Sequence, residues 1–186
     1  MNIIIFGPPG AGKGTQAKIL VQKLNSFQVS TGDMLRDEIK KDTEIGKKIL
    51  NNMEHGKFVS DEIVNKLLEN IIFDSKKKKL IFDGYPRTLN QAKNLESLLS
   101  KSNKKIDYIF FLNVNKDAIL KRIEKRKILE KRSDDDANTI LTRYDIYMKE
   151  TKPLLDFYSS HEGFHEVDGS LGIDEITSKI GLILNV

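Results

Sequence analysis

Hydrophobic residues along the chain alternate between two patterns. Short strand-like segments occur at residues 2–6, 27–29, 80–82, 108–112 and 163–167, and those at 3–6, 80–82 and 108–112 are continuous apolar runs. Between them, apolar residues recur every three or four positions, as on one face of a helix. A continuous apolar run is typical of a strand that is buried on both faces, and strands that alternate with helices favour a parallel sheet. The pattern predicts a single doubly wound α/β domain over residues 1–186.

Helix boundaries are predicted from capping residues and breakers. Ser30 or Thr31 can cap one helix, Gly56 can end another, and Pro153 can bend or end a third. We predict a short charged connection at residues 127–131 and an acidic helix cap at residues 134–136. The predicted helices cover residues 13–25, 31–39, 43–55, 60–72, 88–100, 116–126, 137–152 and 173–184.

One stretch between the second and third predicted strands differs from the rest. Residues 31–59 contain no strand-like run, and their apolar residues are sparse. We expect a small helical insertion, at about residues 30–59, rather than part of the central core.

A glycine-rich segment follows the first predicted strand. It reads Gly-Pro-Pro-Gly-Ala-Gly-Lys-Gly-Thr over residues 7–15 and opens the first helix. Glycines allow several backbone N–H groups to converge on a polyphosphate, and Lys13 adds a cation. The residue after this lysine, commonly a metal-binding Ser or Thr, is Gly14, and the hydroxyl follows at Thr15. The segment predicts a phosphate-binding loop with one departure from the usual pattern.

An acidic residue ends the third predicted strand. Asp83 follows the apolar run at residues 80–82 and precedes Gly-Tyr-Pro-Arg. A carboxylate at the end of a buried strand beside a phosphate loop is suited to holding Mg²⁺, directly or through water. We therefore predict that Asp83 is the magnesium residue.

Basic residues are divided unequally between lysine and arginine. The chain has 25 lysines and six arginines, at positions 36, 87, 122, 126, 132 and 143. Arginine's planar guanidinium binds phosphate with paired hydrogen bonds that lysine cannot reproduce. The six arginines are therefore candidates for phosphate contacts.

Charge and composition limit the possible partners. The net charge is +4, but the lysines are scattered, and the run at residues 76–79 is typical of a solvated turn rather than a nucleic-acid groove. No apolar run reaches the length of a membrane span, there is no cysteine, and no basic leader precedes the first strand. We expect a cytoplasmic protein that binds neither nucleic acid nor membrane.

The residue types also limit the chemistry. No nucleophile stands beside a base in any motif, and His55, His161 and His165 lie outside all of them, as surface or packing residues. If the acceptor is a phosphate, its oxygen is already anionic, and transfer requires positioning and charge neutralisation. An alcohol acceptor would favour a base, for which Asp33 is the remaining candidate.

Four motifs together resemble the adenylate kinase family. They are the loop at residues 7–15, Ser-Thr-Gly-Asp-Met-Leu-Arg at 30–36, Phe-Asp-Gly-Tyr-Pro-Arg-Thr at 82–88 and Arg-Ser-Asp-Asp at 132–135. The resemblance implies a P-loop fold with five parallel strands, an AMP-binding insertion and a short lid at about residues 126–136, without structural zinc. It also implies a monomer that transfers a phosphoryl group reversibly from ATP, with Mg²⁺, to AMP, giving two ADP.

The resemblance further implies roles for individual residues. Those matching the ATP site are Gly10, Ala11, Gly12, Lys13, Gly14, Thr15, Arg122, Arg126 and Leu171. Those matching the AMP site are Thr31, Arg36, Lys57, Phe58, Val59, Gly84, Tyr85, Pro86, Arg87, Gln91, Arg132 and Arg143. The residues expected to act on the transferring group are Lys13, Arg87, Arg126, Arg132 and Arg143.

Two alternatives remain at this stage. A kinase acting on UMP or CMP would share the fold and often the short lid, although Thr31 and Gln91 favour adenine. A nucleotide-binding switch without turnover would need the loop but not the motifs of a second substrate site.

Overall fold

A five-stranded, all-parallel sheet forms the centre of the molecule, in the order β2-β3-β1-β4-β5. The structure, a computed structural model, describes residues 1–74, 76–130 and 137–186, except the side chains of residues 125–130 and 137. The strands are β1 (Asn2–Phe6), β2 (Phe27–Ser30), β3 (Leu80–Asp83), β4 (Tyr108–Asn113) and β5 (Phe164–Asp168). The predicted α/β fold, with five parallel strands flanked by helices, is confirmed.

The described helices fill the intervals between the strands. They are α1 (Lys13–Leu24), α2 (Thr31–Lys40), α3 (Glu44–Glu54), α4 (Asp61–Ile72), α5 (Leu89–Lys101), α6 (Lys116–Glu130), α7 (Ala137–Ile146), α8 (Leu154–Tyr158) and α9 (Ile173–Leu184). A π-helical turn, Tyr147–Thr151, follows α7, and Pro153 precedes α8. No described helix is long and apolar enough to cross a membrane.

The predicted connection at residues 127–131 is wrong over residues 127–130. These residues continue α6, which is described as far as Glu130. The segment has no glycine or proline, and its Lys, Ile, Leu and Glu residues are compatible with a helix despite their charge. Residue 131 and the acidic cap expected at 134–136 lie outside the described residues, as do residues 131–136 of the predicted lid.

Side-chain caps define the start of three helices. Ser30 Oγ accepts a hydrogen bond from the Asp33 N–H at 3.3 Å, which places the cap of α2 at Ser30. Thr43 caps α3 and Thr88 caps α5 in the same way. Each cap satisfies a backbone donor that the helix itself cannot pair, so the start of the helix is fixed locally by sequence.

Apolar side chains cover both faces of the sheet. Along β1, Ile4 and Phe6 contribute to one hydrophobic cluster, and Ile3 and Ile5 to another. Successive side chains of a strand point to opposite faces, so these are the two layers of a doubly wound core. Helices α4 and α5 contribute to the first cluster, and helices α1, α6 and α9 to the second.

The two helices of the insertion lie on the first face. Helices α2 and α3 pack against each other, and Leu35, Ile49 and Val59 are buried in the same cluster as the strand residues. The sheet order places β1 between β3 and β4. The connections that follow these strands leave the sheet in different directions, which opens a crevice at the carboxyl ends of the strands. Such a crevice is where open α/β sheets bind ligands.

Candidate active site

The loop after β1 has the backbone conformation expected of a phosphate-binding loop. Gly12 has a φ of +95°, and a Cβ there would meet no atom within 4 Å, so the conformation itself requires glycine. Gly10 also has a positive φ, and a Cβ there would lie 2.8 Å from a carbon of Ile123 on α6. Helix α1 then begins at Lys13 without a side-chain cap at Gly12. Backbone N–H groups at such a helix start are suited to binding an anion.

Lys13 folds back over this loop. Its Nζ donates hydrogen bonds to the carbonyl oxygens of Gly7 at 2.9 Å and Pro8 at 2.8 Å. These bonds hold the ammonium group at the carboxyl end of β1. The cation is therefore positioned beside the loop, as the sequence pattern predicts.

Asp83 lies close to the same loop, at the end of β3. It is paired in register with Ile5 of β1 and Ser30 of β2, and its carboxylate accepts a hydrogen bond from Gln28 Nε2 at 3.1 Å. A Cβ on Gly14 would lie 3.2 Å from Asp83 Oδ2. The departure at Gly14 thus has a steric reason, because a side chain there would crowd the carboxylate, whereas Thr15 is exposed.

Burial raises the pKa of the Asp83 carboxyl, while Lys13, the Gln28 hydrogen bond and Arg87 lower it by smaller amounts. A desolvated carboxylate beside a phosphate loop is a suitable oxygen ligand for a magnesium ion that keeps several waters and binds substrate phosphates. Among the described residues, no group of three His, Cys, Asp or Glu side chains could hold a metal by itself. The donors therefore fit Mg²⁺ held jointly by Asp83 and a nucleotide.

Replacing Asp83 with asparagine is expected to raise the melting temperature of the ligand-free protein at pH 7. Because the carboxyl pKa is raised above its ordinary value of 3.8, the folded state binds more protons than the unfolded chain above that pH. The free energy of unfolding therefore falls as pH rises from 3.8 through the raised pKa. Asparagine removes this cost, since it cannot ionise.

Thermal unfolding at pH 7 and pH 4 measures this effect. The gap between Asp83→Asn and the unmodified protein should narrow at pH 4, where a larger fraction of the folded protein carries a protonated Asp83 carboxyl than at pH 7. Asp37→Asn, at an exposed carboxylate on α2, is the matched control and should show no such gap. A lower melting temperature for Asp83→Asn at pH 7 would contradict the burial argument.

A cleft that is open to solvent lies between the insertion and the carboxyl ends of β2 and β3. Of the residues assigned to AMP from the sequence, those that line it are Thr31, Arg36, Lys57, Phe58, Val59, Gly84, Tyr85, Arg87, Gln91 and Arg143. Pro86 is not among the lining residues and joins Tyr85 through a cis peptide bond. Arg132 lies outside the described residues. The structure thus brings distant segments of the chain together around one cavity.

Five lining residues were not predicted from the sequence. They are Gly32, Leu35, Met53, Gly56 and Val64. The three apolar residues among them belong to the apolar patterns of three different helices, α2, α3 and α4, so the sequence pattern indicates packing rather than ligand contact. They add apolar surface to a cleft that also contains cationic groups, as is typical of small-molecule sites.

Two arginines of the cleft have defined partners. Arg87 Nε donates to the Gly84 carbonyl oxygen at 2.7 Å, and its guanidinium lies 5.5 Å from the ring centroid of Phe58. Arg36 Nη2 donates to Asp33 Oδ1 at 2.6 Å. These contacts limit the rotation of both side chains within the cleft. Guanidinium groups held in this way are suited to phosphate oxygens.

On the opposite side of the loop, Arg122 contacts the segment after β5. Its guanidinium donates to the carbonyl oxygens of Gly169 at 2.6 Å, Ser170 at 3.3 Å and Leu171 at 3.4 Å. Leu171 is partly buried against the second core cluster. Arg122 and Leu171, both assigned to ATP from the sequence, therefore lie together. The side chain of Arg126 lies outside the described residues.

The three histidines and the lysine run at residues 76–79 do not line the cleft. His55 is exposed, His161 Nδ1 accepts from the Gly163 N–H at 3.0 Å, and His165 stacks against Phe110 at a ring distance of 5.7 Å. In the lysine run, Lys77 pairs with Asp74 at 3.3 Å. These residues therefore contact solvent or the protein core rather than the cleft.

Comparisons with known proteins find similarity to adenylate kinases over most or all of the chain. A family model described as "Adenylate kinase" matches residues 5–163. An adenylate kinase of Pelagibacter ubique (strain HTCC1062) is 48% identical over 213 aligned positions, which cover all of both chains. An adenylate kinase of Mycoplasma capricolum subsp. capricolum is 40% identical, and the alignment covers 97% of both chains. An adenylate kinase of Caulobacter sp. (strain K31) is also 40% identical, and the alignment covers 100% of this chain and 99% of the relative. The similarity therefore extends well beyond the phosphate loop.

Proposed function

This chain belongs to the adenylate kinase family, and on that premise we propose that it catalyses reversible, magnesium-dependent transfer of a phosphoryl group from ATP to AMP, giving two ADP. The observation that carries the proposal is the cleft lined by Arg36, Arg87 and Arg143. Gly84, in its wall, directly follows Asp83, whose carboxylate lies 3.2 Å from the position of a Cβ on Gly14 of the phosphate loop. Two adjoining anion sites are what direct transfer between two nucleotides requires.

The loop and its lysine would bind the donor phosphates. The first backbone N–H groups of α1, which a helix cannot pair internally, are available to the donor phosphates, and Lys13 is the first residue of that helix. Arg122 would meet ATP near the segment that carries Leu171. These residues hold the donor so that its terminal phosphorus faces the acceptor cleft.

The cleft would bind the acceptor phosphate with guanidinium groups. Arg36 and Arg87 would orient AMP, and Arg143, with Arg126 and Arg132 of the lid, would stabilise the charge that spreads over the transferring group. The acceptor phosphate oxygen is already anionic at neutral pH, so no base is needed. Asp33, the remaining candidate base from the sequence, is paired with Arg36. This pairing favours a phosphate acceptor over an alcohol.

Asp83 would hold magnesium, directly or through water, together with phosphate oxygens of the donor. When bound, the ion neutralises phosphate charge and orients the donor. The buried position of the carboxylate, next to Gly14 and within the electrostatic influence of Lys13, supports this assignment.

Closure of two segments would exclude water from the reacting phosphates. We assign this movement to the insertion at about residues 30–59 and the lid at about residues 126–136, which flank the proposed site in sequence. We further propose a cytoplasmic monomer whose partners are ATP, AMP and ADP. A chain without cysteine is compatible with a reducing compartment.

Titration with a bisubstrate dinucleotide tests whether both sites act together. Two adenosines linked by five phosphates would occupy the loop and the cleft at once, so they should bind about 100-fold or more tightly than ATP or AMP alone. Isothermal calorimetry, at a stoichiometry of one, measures the difference. Equal affinity for the dinucleotide and ATP would contradict two adjoining sites and favour the nucleotide switch.

A further inference from the structure

The amide of Gln91, in the acceptor cleft, is held at both of its polar atoms. Its Nε2 donates a hydrogen bond to Asp61 Oδ1 at 2.6 Å, and its Oε1 accepts one from the backbone N–H of Arg87 at 2.8 Å. Gln91 is 3% exposed and still lines the cleft. The side chain is therefore a fixed part of the cleft wall.

These two partners permit only one orientation of the amide. An ionised carboxylate can only accept hydrogen bonds, and a backbone N–H can only donate. Rotating the amide by half a turn would place its oxygen against Asp61 and its NH₂ group against the Arg87 N–H. Both native hydrogen bonds would then be lost, and like groups would face each other.

The anchoring residues are themselves fixed by the fold. Asp61 is the first residue of α4, and Gln91 lies in the first turn of α5. The hydroxyl of Tyr85 joins the same two helices, because it donates to Asn65 Oδ1 at 3.0 Å and lies 3.2 Å from the Gln91 carbonyl oxygen. Tyr85 is 1% exposed. The distance from Asp61 to Gln91 is thus set by buried packing.

Each polar atom of the amide has a second hydrogen-bonding position. One hydrogen on Nε2 and one lone pair on Oε1 have no partner among the residues that the structure describes. A base bound in the cleft would meet a donor and an acceptor in a fixed order. Adenine offers the complement, an amino donor at C6 and an acceptor at N1, whereas a 6-oxopurine offers the reverse, with O6 as acceptor and N1–H as donor.

We propose that Asp61 is a positioning residue that fixes the orientation of the Gln91 amide and so makes the acceptor cleft select adenine against 6-oxopurines. The inference rests on the proposed function, which supplies the adenine acceptor. Asp61 acts through Gln91 rather than by touching the substrate. The discrimination comes from pinning the amide, because an amide that could rotate would accept either base.

The test compares AMP with inosine monophosphate as acceptor, with ATP and Mg²⁺ as donor. Inosine monophosphate differs from AMP at C6 and N1 and lacks the extra amino group of GMP. We expect the unmodified protein to prefer AMP by about 100-fold or more in kcat/KM. In Asp61→Asn, whose side chain can also donate, this preference should fall about tenfold, with a raised KM for AMP and kcat within about threefold.

Glu62→Gln is the matched control, since it removes an exposed carboxylate from the next position of α4. It should keep the full preference for AMP. A purely structural defect in Asp61→Asn would lower kcat/KM for both acceptors alike and leave their ratio unchanged, which would overturn the proposal. Thermal unfolding checks that the variant folds; if it does not, Asp61→Ser undergoes the same comparison, with the same fall expected.

The proposed function and this inference fail differently. If the unmodified protein transfers to neither AMP nor any other monophosphate, the proposed function fails. If it transfers to AMP and Asp61→Asn keeps the ratio of Glu62→Gln, only the role of Asp61 fails.

Discussion

Lys13→Met is expected to lower kcat/KM for ATP by on the order of 100- to 1,000-fold while the protein remains folded. The Lys13 ammonium is held beside the phosphate loop by two carbonyl oxygens, where it would face the donor phosphates. Methionine keeps the length of the side chain but removes the charge. Loss of one such electrostatic contact costs about 3–4 kcal/mol of transition-state stabilisation. Steady-state kinetics with varied ATP measures the loss.

Lys18→Met is the control for this variant. Lys18 is exposed on the same helix, so the substitution removes the same charge away from the loop. Its kcat/KM should stay within about twofold of the unmodified protein, because an exposed charge at that distance is screened. Similar kinetics for the two variants would remove Lys13 from the site.

Arg87→Ala is expected to reduce kcat/KM for AMP by at least about 100-fold. The guanidinium is oriented by the Gly84 carbonyl and the Phe58 ring, inside the acceptor cleft. The alanine variant leaves the acceptor phosphate without this paired donor. Arg87→Lys keeps the charge but not the planar fork, and we expect it to recover only a small part of the activity.

Lys47→Ala serves as the control for Arg87→Ala. It removes a positive charge from the insertion at a side chain that is 54% exposed and does not line the cleft. Its activity should be unchanged, and Arg87→Ala should still bind ATP normally. Full recovery in Arg87→Lys would show that charge alone matters and would contradict the paired contact.

The sheet and the phosphate loop could be predicted because their signals are local. A strand buried on both faces is largely apolar, as at residues 3–6 and 80–82. Gly12 is required by its own backbone conformation, and Ser30 caps its own helix. Each of these constraints operates within a few residues, so the sequence pattern carries it.

The continuation of α6 over residues 127–130 could not be predicted in the same way. Lysine and glutamate occur in both loops and exposed helices, so the charged segment at residues 127–130 has no distinctive period. Glycine or proline would have indicated a break, but the segment contains neither. The prediction of a connection relied on the high charge of the segment alone, without a glycine or proline to indicate that the helix stops.

Contacts between distant residues were also beyond the sequence pattern. Gln28 is 55 positions from Asp83, and Asp61 is 30 positions from Gln91. Their pairing depends on how β2, β3, α4 and α5 pack. The resemblance pointed to Gln91, but the partners that orient its amide required the folded structure.

The most direct test of the proposed function is a coupled assay of ADP formation from ATP and Mg²⁺, with AMP, UMP, CMP and GMP offered in parallel. We expect AMP to exceed each of the others by about 100-fold or more in kcat/KM. A preference for UMP or CMP would keep the fold and the two anion sites but contradict the assignment of Thr31 and Gln91 to adenine. Transfer to none of the four would contradict the kinase activity itself.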